Sequence, residues 1–336
     1  MRGVKVIAVL LVVCLCFCGC SARKNLKDLS VAEGLGIDNA EQGKRVTVQT
    51  LNLAKAGNGT AALSGNVTLN TAGIGRNISS AAAAAAESLS KDLFFGQNKL
   101  LVFGMDVAVN DLATCFDYLM RSENSRPDVP VCISSGTAAQ LLDCGQNDAL
   151  VPAQAVAELL KNGQNSGFSL YVSVNEMLNL YKDKTSDICL PVITVSDESS
   201  RTSGIAIFSE SRLAGVLSGD ETVGLLFLKD KVKSGYMELE SEKYGNIGVR
   251  IIGASSKTKA FAQGETVHFK VGVKLFFSID EIENGTKESL SDAELAEIGK
   301  EVENAVRRDC EKAFYACTKN RSDCLRVGEN LAKDDP

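Results

Sequence analysis

Apolar positions follow three rhythms along this chain. One run is continuous, Val6–Cys18, with Arg2 and Lys5 before it and Gly19-Cys20-Ser21 after it. A membrane-spanning helix needs about 20 apolar residues, so the run reads as the core of an export signal. A second rhythm is alternation. Val267, Phe269, Val271, Val273, Leu275, Phe277 and Ile279 alternate with mostly polar neighbours. This predicts a strand over 267–279 with one buried face and His268 on the solvent face. Shorter strands are predicted at Arg45–Leu53 and Ala61–Asn70, around a Gly57-Asn58-Gly59 turn, and at Lys99–Gly104, Val129–Ser134 and Ile188–Val195. Others follow at Gly204–Phe208, Arg212–Leu217, Tyr236–Glu240 and Ile247–Gly253.

The third rhythm is helical. Ile78–Leu93 holds six consecutive alanines, the residue of highest helix propensity. Asp106–Arg121 places Val109, Leu112, Phe116 and Leu119 on one face, and helices are also predicted at Thr137–Asp143 and Leu150–Lys161. Three capping boxes, Ser173/Glu176, Ser218/Glu221 and Ser291/Glu294, each predict a helix start. The last opens a helix to about Thr318 with a stripe of Leu295, Ile298, Val302, Val306, Cys310, Ala313 and Cys317. Strands and helices mix throughout. The expected class is α+β, with mixed α/β domains in series, antiparallel-rich sheets and packed helices. Residues 196–203 contain no apolar side chain, so a linker is expected over 197–203, between an N-terminal α/β region at 35–196 and a C-terminal α+β domain at 204–336 that ends in the long helix.

Charge and composition narrow the function. The chain carries 36 Lys and Arg against 42 Asp and Glu, a formal net charge of −6, which disfavours nucleic acid as a partner. There is one histidine, His268, and no tryptophan. Four of the 11 cysteines fall in residues 14–20, leaving Cys115, Cys132, Cys144, Cys189, Cys310, Cys317 and Cys324. None forms a C-x-x-C pair, and the expectation is buried thiols rather than a disulfide framework. On a continuous helix, Cys310, Cys317 and Cys324 would stand about 10.5 Å apart in series, too far to bridge.

Chemical motifs are missing. The sequence has no G-x-S-x-G, no phosphate-binding glycine loop and no H-E-x-x-H. No acidic pair stands out as an acid–base couple. The expectation is a binding protein, with no enzyme activity, no cofactor and no metal.

Phe17-Cys18-Gly19-Cys20 resembles a bacterial lipobox. That resemblance implies cleavage after Gly19 and lipidation of Cys20 with acyl chains of the palmitate kind. Residues 1–19 would be the signal peptide. Residues 20–34, with Arg23, Lys24 and Lys27, would be a lipidated tether. Two acyl chains suffice for stable anchoring.

Several further stretches resemble the Ger(x)C family, the lipoprotein C subunits of spore germinant receptors. They are Leu35-Gly36-Ile37-Asp38, the helix-then-strand segment 80–104, Leu119-Met120-Arg121 leading to Arg126, and Val131–Leu142. The most recognisable is Gly204-Ile-Ala-Ile-Phe208, then Arg212-Leu-Ala-Gly-Val-Leu217, then Glu221-Thr-Val-Gly224. The last helix is similar from Ala305 to Lys312, and at Asp323 and Gly328. Ser21-Ala22 stand where family members commonly carry Trp, and the family's closing strand does not follow the last helix before Pro336. The resemblance implies a non-enzymatic subunit that works with A and B membrane subunits on the outer face of the spore inner membrane. The alternative reading is a solute-binding lipoprotein of an importer. The 19 aromatic residues, 13 Phe and 6 Tyr with no Trp, are few for that class's aromatic-lined clefts.

Overall fold

A computed structural model describes, apart from Gly3, residues 28–52, 67–110, 112–122, 126–144, 150–183, 185–196, 199–284 and 290–334. The expected signal peptide, Cys20 and the Gly57-Asn58-Gly59 turn lie outside the described residues.

A nine-stranded mixed sheet dominates, in the order β3-β2-β1-β5-β6-β7-β8-β9 with β4 paired to β1. Its parallel centre is β1 (Leu29–Ala40), β5 (Leu100–Gly104), β6 (Val131–Ser134) and β7 (Cys189–Ser196). β4 (Asp92–Phe94) also runs parallel to β1. Antiparallel strands flank the centre. β2 (Gly43–Leu51) and β3 (Thr68–Gly75) lie on one side, and β8 (Ser199–Ser209) and β9 (Arg212–Leu217) on the other.

β5 shows why the centre is apolar on both faces. Leu101 and Phe103 join the large core, with α2 (Met105–Asn110), α3 (Leu112–Arg121) and α6 (Val174–Lys182). Leu100 and Val102 join a second core on the opposite face, under α4 (Ala138–Asp143) and α5 (Pro152–Asn165). A sheet covered by helices on both faces needs an unbroken apolar run rather than alternation. α1 (Ile78–Glu87) packs through Ile78, Ala81 and Ala85 on the flank formed by β2 and β3.

The sheet also caps helices. Pro152 opens α5 without a side-chain cap of its own, and Gln49 of β2 accepts from the Ala153 amide at 2.9 Å. The Gln49 amide group then donates to Asn70 Oδ1 at 3.1 Å and to the Leu142 carbonyl. A fully buried glutamine is tolerated because its polar atoms are paired.

A three-stranded antiparallel sheet follows, β10 (Gly235–Ser241), β11 (Gly245–Gln263) and β12 (Thr266–Ile282). Leu239, Ile247 and Val249 of this sheet meet Ile298, Val302 and Ala305 of α8 (Asp292–Lys319). α7 (Asp220–Leu228) lies between the two sheets and packs closely on α8, and α9 (Val327–Asp334) follows.

Several expectations need correction. Residues 29–34, expected in the tether, already belong to β1. The polar stretch expected as a linker is strand where described. Ser200, Arg201 and Thr202 of β8 pair with Val195, Thr194 and Ile193 of β7. A solvent-facing hairpin arm keeps its backbone bonds without apolar side chains, so composition mimics a linker there. The alanine helix stops at Glu87, with Ser88 as its C-cap, rather than at Leu93. The Ser218/Glu221 box is absent. Gly219, at φ 51°, is the N-cap of α7 and makes no side-chain bond. The Ser291/Glu294 box is present on both sides, and Ser173 Oγ accepts from the Glu176 amide at 3.2 Å. Leu295, expected in the α8 stripe, is exposed.

Candidate functional site

Three groupings of polar or reactive side chains stand out among the described residues. The first lies at the carboxyl ends of the parallel strands, where open α/β sheets usually bind ligands. Here the chain fills the place itself. Asp38, 2% exposed at the end of β1, accepts from the Ala138 amide at 2.6 Å and the Ala139 amide at 3.1 Å, holding the start of α4. Across Gly104, Asp106 accepts from the Asn39 amide at 3.0 Å. A side chain on Gly104 would collide with both carboxylates. Burial pushes the Asp38 carboxyl above its ordinary range, although the two amide bonds pull the other way. The Gly36-Ile37-Asp38 segment is therefore a latch between strand and helix, and it closes this position.

The second grouping is three thiols. Lys319 ends α8, and the chain turns back through Arg321 at φ 52°, so Cys324 is not on the helix that carries Cys317. The continuous-helix spacing fails there, and the Cys317 and Cys324 sulfurs stand 3.5 Å apart. Neither is in a disulfide, and neither are Cys115, Cys132, Cys144, Cys189 and Cys310. The bond with Cys324, together with burial, holds the Cys189 thiol well above its ordinary range. Neutral buried thiols are poor nucleophiles and poor metal ligands. No group of three or more His, Cys, Asp or Glu among the described residues could hold a metal ion. His268 lies exposed, stacked on Phe261 with ring centroids 5.1 Å apart.

The third grouping lines an open cleft between the small sheet, α7 and α8. The 166–168 turn, the start of α7, β10 and the middle of α8 form its walls. Gly167, at φ +71°, makes the turn, and the exposed Phe168 and Tyr236 both line the cleft. Gly224 lets α7 approach α8 so closely that an added Cβ would lie 1.9 Å from the Asp309 carbonyl oxygen. That approach sets Asp220 of α7 beside α8, where Lys312 Nζ meets its Oδ2 at 2.6 Å. Burial pushes the Asp309 carboxyl up to about 6, the Asp220 charge adds to this, and Lys312 and Arg308 oppose it. Glu238 and Glu240 complete an acidic wall with two cations set in it. The cleft holds no histidine and no thiol. It can bind polar or charged groups, and it lacks a nucleophile with a base beside it. Sequence reading missed the cleft because its charges come from elements up to 92 residues apart, as Asp220 and Lys312 are.

Among the described residues no helix is long and apolar enough to cross a membrane. Cys20, the expected lipidation site, lies outside them.

Comparison with known proteins gives consistent results. Residues 22–195 match the family described as spore germination protein N-terminal domain. Residues 203–336 match the one described as spore germination B3/GerAC like, C-terminal. The two matches meet across the β7–β8 hairpin of one sheet. A putative spore germination protein, YfkR of Bacillus subtilis (strain 168), is 23% identical over 235 residues, 66% of this chain and 60% of that protein. The aligned region thus spans less than two thirds of that relative's length. The crystal structure of the GerBC protein has a similar fold, with a TM-score of 0.53 at 17% identity, covering 93% of this chain and 91% of that one.

Proposed function

The chain belongs to the Ger(x)C family of spore germination proteins, and on that footing we propose that it is the lipid-anchored C subunit of a nutrient germinant receptor. The observation that carries the reading is the pair of family matches, which follow one another in order and cover residues 22–195 and 203–336. In this reading the Cys20 thiol carries the lipid. The protein sits on the outer face of the spore inner membrane and docks on the A and B membrane subunits. Its part is recognition, not turnover. The cleft beside α7 and α8 is compatible with that part, since it is lined by charged side chains of both signs.

The lipid supplies attachment that the acidic body as a whole would not. Two acyl chains at about 0.8 kcal/mol per buried methylene give stable anchoring, where one chain is marginal. The test is Cys20→Ala in the native gene, read by fractionation of spore membranes and by germination. The variant protein should leave the membrane fraction, and the nutrient response should weaken. Full membrane retention with an unchanged response would overturn the lipid-anchored reading.

A further inference from the structure

The long β11–β12 hairpin has two unlike faces. Lys259 pairs with Lys270, Lys257 with Gly272, Ser255 with Lys274, and Phe261 with His268, so these side chains share one face. The other face carries Ala260, Phe269, Val271, Val273 and Leu275, which pack toward the core, where Phe269 stacks on Phe314 of α8. Every residue of the first face from Ser255 to Phe261 and from His268 to Phe276 is exposed.

That outer face is single-signed in an acidic protein. It holds four lysines, and no Asp or Glu lies between Gly253 and Gln263 or between Thr266 and Phe276. Lys259 and Lys270 stand directly opposite, an arrangement that destabilises a strand pair. The Arg250–Asp280 pair, at 2.7 Å, lies beyond the patch at the base of the hairpin. Exposed apolar groups flank the lysines at both ends. Phe261 is 46% exposed at one, and Ile252 and Phe276 are 63% and 65% exposed at the other. From Gly253 to Phe261 the face runs roughly 27 Å at ~3.4 Å per residue.

The geometry points to this face as a docking surface for an anionic lipid bilayer. Charge complementarity makes the partner anionic. Lysine, with no arginine among the four, is a flexible point charge rather than a fork shaped for one carboxylate, and suits a fluid array of phosphates. Lysine stems and flanking aromatic rings place apolar matter at headgroup depth beneath their charges. The surface is an exposed ribbon face, not a groove shaped for a peptide. This contact is separate from the proposed lipid on Cys20. It would orient the C-terminal sheet against the membrane and not merely tether it.

The chain contains no tryptophan, so Phe261→Trp in the full chain makes a reporter local to this face. It is titrated with vesicles of phosphatidylcholine alone, or of phosphatidylcholine mixed with phosphatidylglycerol. The indole emission should shift to the blue on the anionic vesicles only, and salt should reverse the shift. Each lysine near an anionic surface contributes about fivefold, so changing all four to Gln should weaken the response several-hundred-fold, by the same constant. Changing all four to Arg should preserve it, which separates lost charge from lost folding. No shift on either vesicle, or an equal shift on both, would overturn the proposal. A shift with polyglutamate but not with anionic vesicles would also overturn it, in favour of an acidic polypeptide partner.

Discussion

Asp309 shows how one residue reports on the cleft. Its carboxyl is raised from 3.8 to about 6, first by burial and then by the neighbouring Asp220 charge. A raised carboxyl holds its proton more tightly in the folded chain than in the unfolded one. Below pH 3.8 both states are protonated and the group is neutral in its effect. As pH rises toward 6 the folded state loses stability, and the full penalty applies above that. Asp309→Asn removes the penalty. The variant should be the more stable protein above pH 6, by about 1 kcal/mol, and equal to the parent below about pH 4. The figure is far below the full-shift value because the group is partly solvated. Urea titrations at both ends of the range measure it. A variant less stable at pH 7 would show that the carboxylate is held favourably in the cleft.

At the scale of elements, the α7–α8 crossing depends on a missing side chain. Gly224 faces the α8 backbone with no room for a methyl group. Gly224→Ala should force the helices apart and cost about 1–3 kcal/mol, as overpacking does, lowering the urea midpoint. An unchanged midpoint would mean the helices can separate freely. Gly224 lies within the stretch Glu221-Thr-Val-Gly224 that resembles the family. Other elements were legible to differing degrees. The alternation of β12 was plain because one face packs on the core. Its partner β11 was expected to end at Gly253, yet it runs to Gln263. Ala254–Gln263 is rich in Ser, Lys and Thr and has little apolar signal, so pairing with β12 supplies what composition does not. The same reason hid the first half of β8. Helix starts were legible where the cap is local, as at Ser291. The start of α4 also has a local cap, since Thr137 and Gln140 form a reciprocal box, whereas the further bonds that arrive from afar, from Asp38 to α4 and from Gln49 to α5, left no sign in the sequence.

For the whole molecule, the expected class was right and the expected seam was not a physical break. A mixed sheet and an antiparallel sheet with packed helices are present, and the GerBC fold is similar. Yet β8 and β9, from the second family region, complete the sheet begun by the first. The two regions share a large core that includes Phe103, Ile205 and Phe227. Neither should fold alone as it does in the chain. This continuity is compatible with the proposed role, since a shared sheet and core link the two regions.

The central claim is that this chain serves a germinant receptor. Germination of spores lacking only this gene, followed as loss of refractility across a panel of nutrients, tests it most directly. The account predicts that the response to one nutrient class is lost and that the wild-type gene restores it. Normal germination to every nutrient, with a growth defect on one of them, would contradict it and point to solute import instead.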